Sequence, residues 1–184
     1  MSDQGPAAAA GRAAVLLAVG TELTEGVILN THFRFLGAHL KSRGFVVRWA
    51  VQIPDEADLF ARTLRQALAE GELVLISGGL GPTSDDLTRE VAAEVCGAPL
   101  EFHADIWEAL RARWAGQPIA ETNRKQAFIP RGFTVLPNPH GTAPGFCGQV
   151  GRALLAALPG PPRELEPMFL ERLGPLLPLP AGQD

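Results

Sequence analysis

Cysteine is scarce in this sequence, and its scarcity excludes two kinds of protein. Only Cys96 and Cys147 occur among the 184 residues, and neither stands in a CxxC or a mixed Cys/His pattern. Two thiols cannot form a disulfide scaffold, and their spacing excludes the usual kind of structural zinc site. Low cysteine use is typical of a reducing compartment, so we expect a cytoplasmic protein.

Long apolar runs are lacking as well. The longest run near the N-terminus, residues 13–19, is far shorter than the roughly 20 residues that cross a bilayer. A secretory signal needs a basic segment before such a run, but Arg12 is the only basic residue there, and no small-residue cleavage pattern follows. We therefore expect neither a membrane segment nor a signal peptide, and interpret the run as a buried strand.

An excess of positive charge is the third absence. Sixteen basic residues face 20 acidic ones, which gives a formal net charge of −4. No overall cationic field exists to hold a nucleic-acid backbone or an anionic membrane, so we expect neither as a partner. The chain is nevertheless 46% hydrophobic and 20% charged, which excludes disorder of the whole chain.

Two hydrophobic periods alternate along the first 77 residues. Continuous aliphatic runs are typical of strands buried on both faces, whereas apolar residues three or four apart are typical of amphipathic helices. The pattern predicts strands over 15–19, 45–52 and 73–77, and helices over 31–43 and from a cap at Asp55 to Gly71. Strands that alternate with helices predict an α/β fold with a mostly parallel sheet and helices on both faces.

The second half carries weaker signals. A third helix is predicted from about Asp86 to Cys96, with Gly97 as its stop. Further predictions are helices over 105–114 and 164–173 and strands over 133–136 and 153–158. With no internal repeat, we expect a single domain over 13–174, a flexible segment over 1–12 and a loose tail over 175–184.

The loop after the third strand is the richest candidate site. In open α/β sheets, ligands lie outside the carboxyl ends of the strands, where the loops that begin at Gly20 and Gly78 are expected. The second loop combines three glycines with two hydroxyls and leads into a helix; these residues are Gly78, Gly79, Gly81, Thr83 and Ser84. Such a loop can present amides to a phosphate, and a tight structural turn is an equally good interpretation. It lacks both the lysine of a P-loop and the GxGxxG spacing.

Acidic residues stand beside this loop. Asp85 and Asp86 would repel a bound phosphate unless a divalent cation lay between, and magnesium takes one or two carboxylates together with phosphate oxygens. The alternative is that Asp85 or Ser84 caps the third helix and Asp86 complements its dipole. Glu22 and Asp55 follow the first two strands and can reach the same rim, although capping is the better interpretation for Asp55.

Five ordered segments resemble the MoaB/Mog domain in its CinA version, and together they span 15–169. The segments are Gly78-Gly79-Leu80-Gly81-Pro82-Thr83 with Asp85-Asp86-Leu87-Thr88, Gly20-Thr21-Glu22-Leu23 with Gly26 and Asn30-Thr31, Asn123-Arg124-Lys125-Gln126-Ala127 with Pro130, Asn138-Pro139 with Gly141-Thr142-Ala143-Pro144-Gly145, and Leu158-Pro159-Gly160-Pro161-Pro162-Arg163-Glu164. The resemblance implies a three-layer α/β/α sandwich that binds a nucleotide or pterin and forms a dimer or trimer.

The resemblance also implies an activity. CinA domains of this kind hydrolyse ADP-ribose to AMP and ribose 5-phosphate with a divalent metal, whereas related domains bind or adenylate molybdopterin. Metal-assisted attack of water on a pyrophosphate is the mechanism we expect, with Asp86 and Asp85 holding magnesium, manganese or cobalt and Glu22 or Asp55 as candidate bases. The alternatives are a module that binds molybdopterin or a nucleotide without turnover, and a molybdopterin adenylyltransferase. The nicotinamide-nucleotide deamidase domain usual in CinA proteins is expected to be absent.

The remaining motif positions are candidate ligand contacts. Asn138 and Thr142 offer neutral hydrogen-bond partners for a ribose or a ring edge, and Arg124 or Lys125 can neutralise a second phosphate. The matched motifs add Gly20, Thr21, Asn30, Gln126, Gly141, Gly160 and Pro161. His32 stands where the family commonly has Asn and can contact a ribose or phosphate, although an exposed histidine in a first helical turn is the commoner case.

Overall fold

The computed structural model describes residues 11–113, 117 and 119–179. In that part of the chain the strands are β1 Arg12–Val19, β2 Phe45–Ile53, β3 Leu73–Ser77, β4 Leu100–Phe102, β5 Phe128–Pro130, β6 Thr134–Leu136, β7 Gly145–Val150 and β8 Ala153–Leu158. The α-helices are α1 Thr21–Thr24, α2 His32–Ser42, α3 Ala57–Glu70, α4 Thr88–Cys96, α5 Ala104–Arg113 and α6 Pro162–Met168. Glu121–Ala127 and Gly174–Leu176 form 3-10 helices, and Phe169–Leu173 is a π-helical turn.

Six strands form the main sheet in the order β2-β1-β3-β8-β7-β6. The pairs β1–β2, β1–β3 and β3–β8 are parallel, while β7 pairs antiparallel with both β8 and β6. β4 and β5 form a separate antiparallel pair. The prediction of a mostly parallel sheet is confirmed, and the parallel strands end together at one edge.

Alternation along the buried strands divides the core into two layers. In β1, Val15 and Leu17 pack on the side of α3 and α4, whereas Ala14 and Leu16 pack on the side of α2 and α6. Successive strand side chains point to opposite faces, so a strand covered on both faces must be apolar throughout. The helices on both faces confirm the three-layer α/β/α sandwich.

The last predicted helix is not one regular helix. α6 ends at Met168 and the chain continues as a π-helical turn. Pro167 lies inside α6, and because proline has no N–H and crowds the preceding turn, it disturbs a regular ladder. The strands β4, β5 and β7 were not predicted, and the first two are only three residues long.

Two capping predictions are wrong. The residue before α3 is Glu56, and no side chain caps that helix, so Asp55 has another role. α4 begins at Thr88 after Leu87, again without a side-chain cap, so neither Ser84 nor Asp85 caps it.

The ends of the domain differ slightly from the predicted bounds. Arg12 opens β1, and Leu177 is buried in the core beyond the predicted limit of 174. Residues 1–10, 114 and 180–184, which carry parts of the predicted flexible segment, helix and tail, lie outside the described residues. None of the described helices combines the length and apolarity that a membrane crossing needs.

Candidate ligand cavity

A cavity of about 450 Å³ opens at the carboxyl ends of β1, β3 and β8. Three loops surround it, one after each of these strands, and the 3-10 helix Glu121–Ala127 closes one side. This is where a parallel sheet is expected to hold a ligand, since the ends of adjacent strands and their loops converge there.

Two glycines shape the loop after β3. Gly78 and Gly79 have φ values of 95° and 65°. A Cβ on Gly78 would lie 2.2 Å from the carbonyl oxygen of Val19, and a Cβ on Gly79 would lie 2.4 Å from Oγ1 of Thr88. The Thr88 hydroxyl donates to the Gly78 carbonyl at 2.8 Å. A side chain at either position would clash with these neighbours and would disfavour the positive φ value. Glycine at both positions therefore lets the backbone pass close to β1 and α4.

Asp86 organises the rest of this loop. Its Oδ1 accepts the amide of Gly81 at 2.8 Å, and its Oδ2 accepts the amide of Thr83 at 2.9 Å and the Thr83 hydroxyl. The Gly78 amide donates to the Leu158 carbonyl. The described part of the chain supplies no acceptor for the amides of Gly79 and Leu80, which leaves them available to a ligand near the start of α4.

Lys125 clamps the loop from outside. Its Nζ donates to the carbonyls of Thr83, at 3.0 Å, and of Asp86, and lies 3.3 Å from Glu90 Oε1. The ammonium group therefore binds the loop, and Lys125 does not line the cavity, so the prediction that it neutralises a second phosphate is not supported. The same segment places Gln126, which is buried, against the cavity with its Nε2 donating to Thr142 Oγ1 at 3.1 Å.

Asp55 holds the first loop. Its Oδ2 accepts the amide of Thr21 at 2.8 Å and the hydroxyl of Thr21 at 2.9 Å. The Asp55 amide donates back to that hydroxyl at 3.1 Å. This partner lies 34 residues away, which explains why a local capping pattern misplaced Asp55. Neither residue lines the cavity, whereas exposed Glu22 does.

His32 is buried, against the expectation of an exposed side chain. Its Nδ1 lies 3.0 Å from Ser77 Oγ at the end of β3, and the ring faces the cavity. Burial lowers the pKa of His32, although a hydrogen bond with the Gly160 carbonyl and the nearby Glu166 act in the opposite direction. The ring therefore connects the start of α2 to the end of β3.

Glu164 is the functional candidate that the sequence reasoning missed. It lines the cavity, is buried, and its Oε2 accepts Nδ2 of Asn138 at 2.9 Å. Asn138 also donates to the Ala143 carbonyl, and a Cβ on Gly141 would lie 1.9 Å from the carboxylate of Glu164. Asn138 and Gly141 therefore position Glu164. A carboxylate in the first turn after Pro-Gly-Pro-Pro, beside a strand end, was the signal available in the sequence.

The cavity unites about half of the predicted site residues. Those that line it are Glu22, Gly78, Gly79, Gly81, Asp86, Gln126, Thr142, Gly160 and Pro161. Those that lie outside its lining are Gly20, Thr21, Asn30, Asp55, Thr83, Ser84, Asp85, Asn138 and Gly141. Thr83 of the second group donates to Asp86 of the first, and Asn138 donates to Glu164, which also lines the cavity.

The carboxylates limit how a metal could be held. Glu22, Asp86 and Glu164 line the cavity, whereas Asp85 is exposed outside it. Within 11–113 and 119–179 no group of three or more His, Cys, Asp or Glu side chains could hold a metal ion. The residues fit a magnesium-type cation that takes one carboxylate, water and the oxygens of a bound phosphate, but not an all-protein site.

Comparison with known proteins supports the fold and the family. The model of the probable molybdopterin binding domain matches residues 15–178. A putative competence-damage inducible protein of Symbiobacterium thermophilum is 47% identical over 176 residues, and a CinA-like protein of Desulfovibrio desulfuricans is 42% identical over 170. These matches cover 92% and 88% of this chain but 40% of each relative, so the chain spans well under half the length of these proteins.

Solved structures agree. The protein CinA of unknown function from Thermoplasma acidophilum superposes with a TM-score of 0.84 at 32% identity, covering 90% of this chain and 98% of that one. The molybdopterin biosynthesis enzyme MoaB from Thermus thermophilus gives a TM-score of 0.57 at 23% identity, over 90% of this chain and 94% of that one. The second likeness supports the fold alone.

Proposed function

Since the chain belongs to the family of probable molybdopterin binding domains in its CinA-like form, we propose that its cavity binds a nucleotide pyrophosphate and hydrolyses ADP-ribose to AMP and ribose 5-phosphate. One observation carries the proposal. The loop after β3 turns through two positive-φ glycines and leaves the amides of Gly79 and Leu80, which line the cavity, without an acceptor in the described chain. Free amides before a helix N-terminus are a recurrent way to bind phosphate.

The other walls supply groups for the remaining parts of such a ligand. Gln126 and Thr142 are hydrogen-bonded to each other at the cavity and offer amide and hydroxyl partners for a ribose. Oε1 of Gln126 is buried and makes no hydrogen bond within the described residues, so a ligand hydroxyl would satisfy it.

Glu164 is the group to which we assign proton transfer. In the hydrolysis, the oxygen of water forms a bond to one phosphorus and the bridging P–O bond breaks, giving AMP and ribose 5-phosphate. The proton of the water passes to the Glu164 carboxylate, which Asn138 holds in the cavity wall. Buried and positioned, Glu164 is better placed for this than exposed Glu22 or Asp55, which lies outside the lining.

A divalent cation such as magnesium, manganese or cobalt would be held by Asp86 with the phosphate oxygens. When bound, it would lower the pKa of a coordinated water and offset charge that develops on the phosphate. Asp86 already accepts three hydrogen bonds from its loop, so its contribution to the phosphate site is both the negative charge and the shape of the loop.

The test follows AMP release from ADP-ribose with each of the three metals in the wild type, Asp86→Asn and Glu164→Gln. We expect metal-dependent turnover in the wild type and a loss of at least about 100-fold in both variants, as for groups that act directly on the reacting atoms. Asp85→Asn is the matched control, because it removes the adjacent carboxylate that lies outside the cavity. Equal turnover in all four proteins would overturn the assignment.

A binding module without turnover is the second candidate. The engagement of Asp86 by its own loop and the family's description as a probable molybdopterin binding domain favour it. In this case the same cavity holds molybdopterin or a nucleotide. Mass spectrometry of ligand released from the purified protein separates the candidates: a co-purified pterin with no AMP formation supports the module, and AMP formation excludes it.

A further inference from the structure

Three consecutive aliphatic residues project beside the cavity. Val27, Ile28 and Leu29, which we call the apolar lip, are 72%, 54% and 83% exposed. Ile28 and Leu29 line the cavity and Val27 does not. Three adjacent exposed aliphatic residues form a patch that water solvates poorly, and such patches at the mouth of a cavity commonly mark binding surfaces.

Hydrogen bonds fix both ends of the lip. The amides of Val27 and Ile28 both donate to the Glu22 carbonyl, at 2.9 and 3.2 Å. On the other side, Asn30 Oδ1 accepts the amides of His32, at 3.0 Å, and Phe33. The lip is therefore a built projection between α1 and α2, and covering it costs little ordering of the backbone.

Apolar residues line other parts of the cavity as well: Val19, Leu23 and Leu80 are buried, and Pro161 and Pro162, which follow β8, are exposed. Among the described lining residues His32 has the only aromatic ring, and its Nδ1 is held by Ser77. The same lining includes residues of the loop after β3, Asp86 and Glu164, which suit phosphate and hydroxyl groups. A nucleotide with its phosphate at Gly79 needs an apolar surface for its base, and Ile28 and Leu29 are the exposed branched aliphatic side chains among the described lining residues.

We propose that Ile28 and Leu29 cover the face of the planar ring of the bound nucleotide and so favour ring-bearing ligands over sugar phosphates. The inference rests on the proposed nucleotide site and adds to it the element that recognises the base. Aliphatic side chains that pack on a ring gain from removal of both apolar surfaces from water.

Calorimetric titrations with AMP and with ribose 5-phosphate test the lip, because the two probes share a sugar phosphate and differ in the ring. We expect Ile28→Ser/Leu29→Ser to raise the Kd for AMP about tenfold, from the loss of two partly covered aliphatic side chains, and to leave the Kd for ribose 5-phosphate within about twofold. Val27→Ser is the control: it removes a neighbouring aliphatic residue whose exposure lies between those of Ile28 and Leu29 but which is outside the lining, and it should change neither Kd.

Each other outcome overturns the inference in a recognisable way. If the wild type binds AMP and the double variant binds it equally well, the ring lies elsewhere and the nucleotide site stands. A wild type that binds neither probe overturns the proposed function together with the lip. Light scattering on the same samples completes the set, because a smaller particle in the double variant would show that the lip joins copies of the chain instead.

Discussion

The loops after β1 and β3 contain the same bonding unit with different consequences. In each, one aspartate oxygen accepts both the amide and the hydroxyl of one threonine: Asp55 with Thr21, and Asp86 with Thr83. Asp86 comes from the same loop, three residues away, and lines the cavity. Asp55 comes from the end of β2, 34 residues away, and lies outside the lining.

The difference separates a loop built for a ligand from a loop built for the fold. The Asp55 pair joins the ends of two adjacent strands, so its bonds stabilise tertiary structure. The Asp86 pair closes a local turn and leaves the neighbouring amides of Gly79 and Leu80 free, so its bonds shape the cavity. Variants at matched positions in the two loops should therefore affect stability and binding in different proportions.

Glycine replacement gives the largest expected difference between the loops. Gly78→Ala combines a φ of 95° with a Cβ only 2.2 Å from the Val19 carbonyl, whereas Gly26→Ala has a φ of 73° and open space around it. We expect Gly26→Ala to lower the free energy of unfolding by about 1–2 kcal/mol and Gly78→Ala by clearly more, about 3 kcal/mol or above. Urea unfolding measures both. Equal losses would contradict the close approach of Gly78 to β1.

Replacement of the two aspartates should have different effects: Asp55→Asn should mainly lower stability, and Asp86→Asn should mainly weaken ligand binding. Asp55→Asn weakens bonds that hold two strand ends, and we expect it to lower the free energy of unfolding by about 1–3 kcal/mol while the Kd for AMP stays within about threefold. Asp86→Asn should instead raise that Kd at least about tenfold in the presence of magnesium. Calorimetry and urea unfolding on both variants provide the comparison. If Asp55→Asn weakens AMP binding as much as Asp86→Asn does, the two aspartates do not have the different roles that we assign to them.

His32, which opens α2 and contacts Ser77 at the end of β3, should make the stability of the fold sensitive to acid. Burial lowers its pKa below the usual 6.5, so below that pH the unfolded chain binds a proton that the folded protein resists. The stability contribution is complete above pH 6.5 and is lost as the pH falls through the lower pKa of the folded state. Melting temperatures measured from about pH 7.5 to about 4.5 should fall more in the wild type than in His32→Asn. Parallel curves would show that His32 does not titrate on unfolding.

Removal of single hydroxyls should give the smallest effects. Thr21→Val and Thr83→Val each delete one side-chain donor to an aspartate, which is expected to cost about 0.5–1.5 kcal/mol of stability. Only Thr83→Val should also raise the Kd for AMP, by about two- to fivefold, because its loop carries the free amides. The same titrations and unfolding curves detect both, and a Kd increase confined to Thr21→Val would reverse our interpretation of the loops.

Much of the fold was predictable because its first half repeats simple patterns. β1 and β3 are apolar on both faces, and α2 and α3 carry regular apolar stripes, so periodicity identified them. The antiparallel extension was harder. β4 and β5 have three residues each, and β7 contains Gly148 with an exposed Gln149, which gives no continuous apolar run. Such strands form because they pair with neighbouring strands, and their own sequence carries little signal for them.

The site was predictable where local sequence determines it. Glycines before a helix identified the loop that contains Gly78 and Asp86. The roles of side chains with distant partners were not predicted: Asp55 binds Thr21, His32 contacts Ser77 and Glu164 is held by Asn138. None of these pairs is closer than 26 residues in sequence, so only the folded chain brings them together.

The most direct test of the account is a nuclear magnetic resonance titration of the backbone amides with AMP. Our account predicts that the amide signals of Gly79 and Leu80 shift as AMP is added, because these N–H groups bind the phosphate, while the Thr21 amide, already bound to Asp55, stays in place. Saturable binding of AMP with unmoved Gly79 and Leu80 signals would contradict the central claim that the glycine loop holds the phosphate.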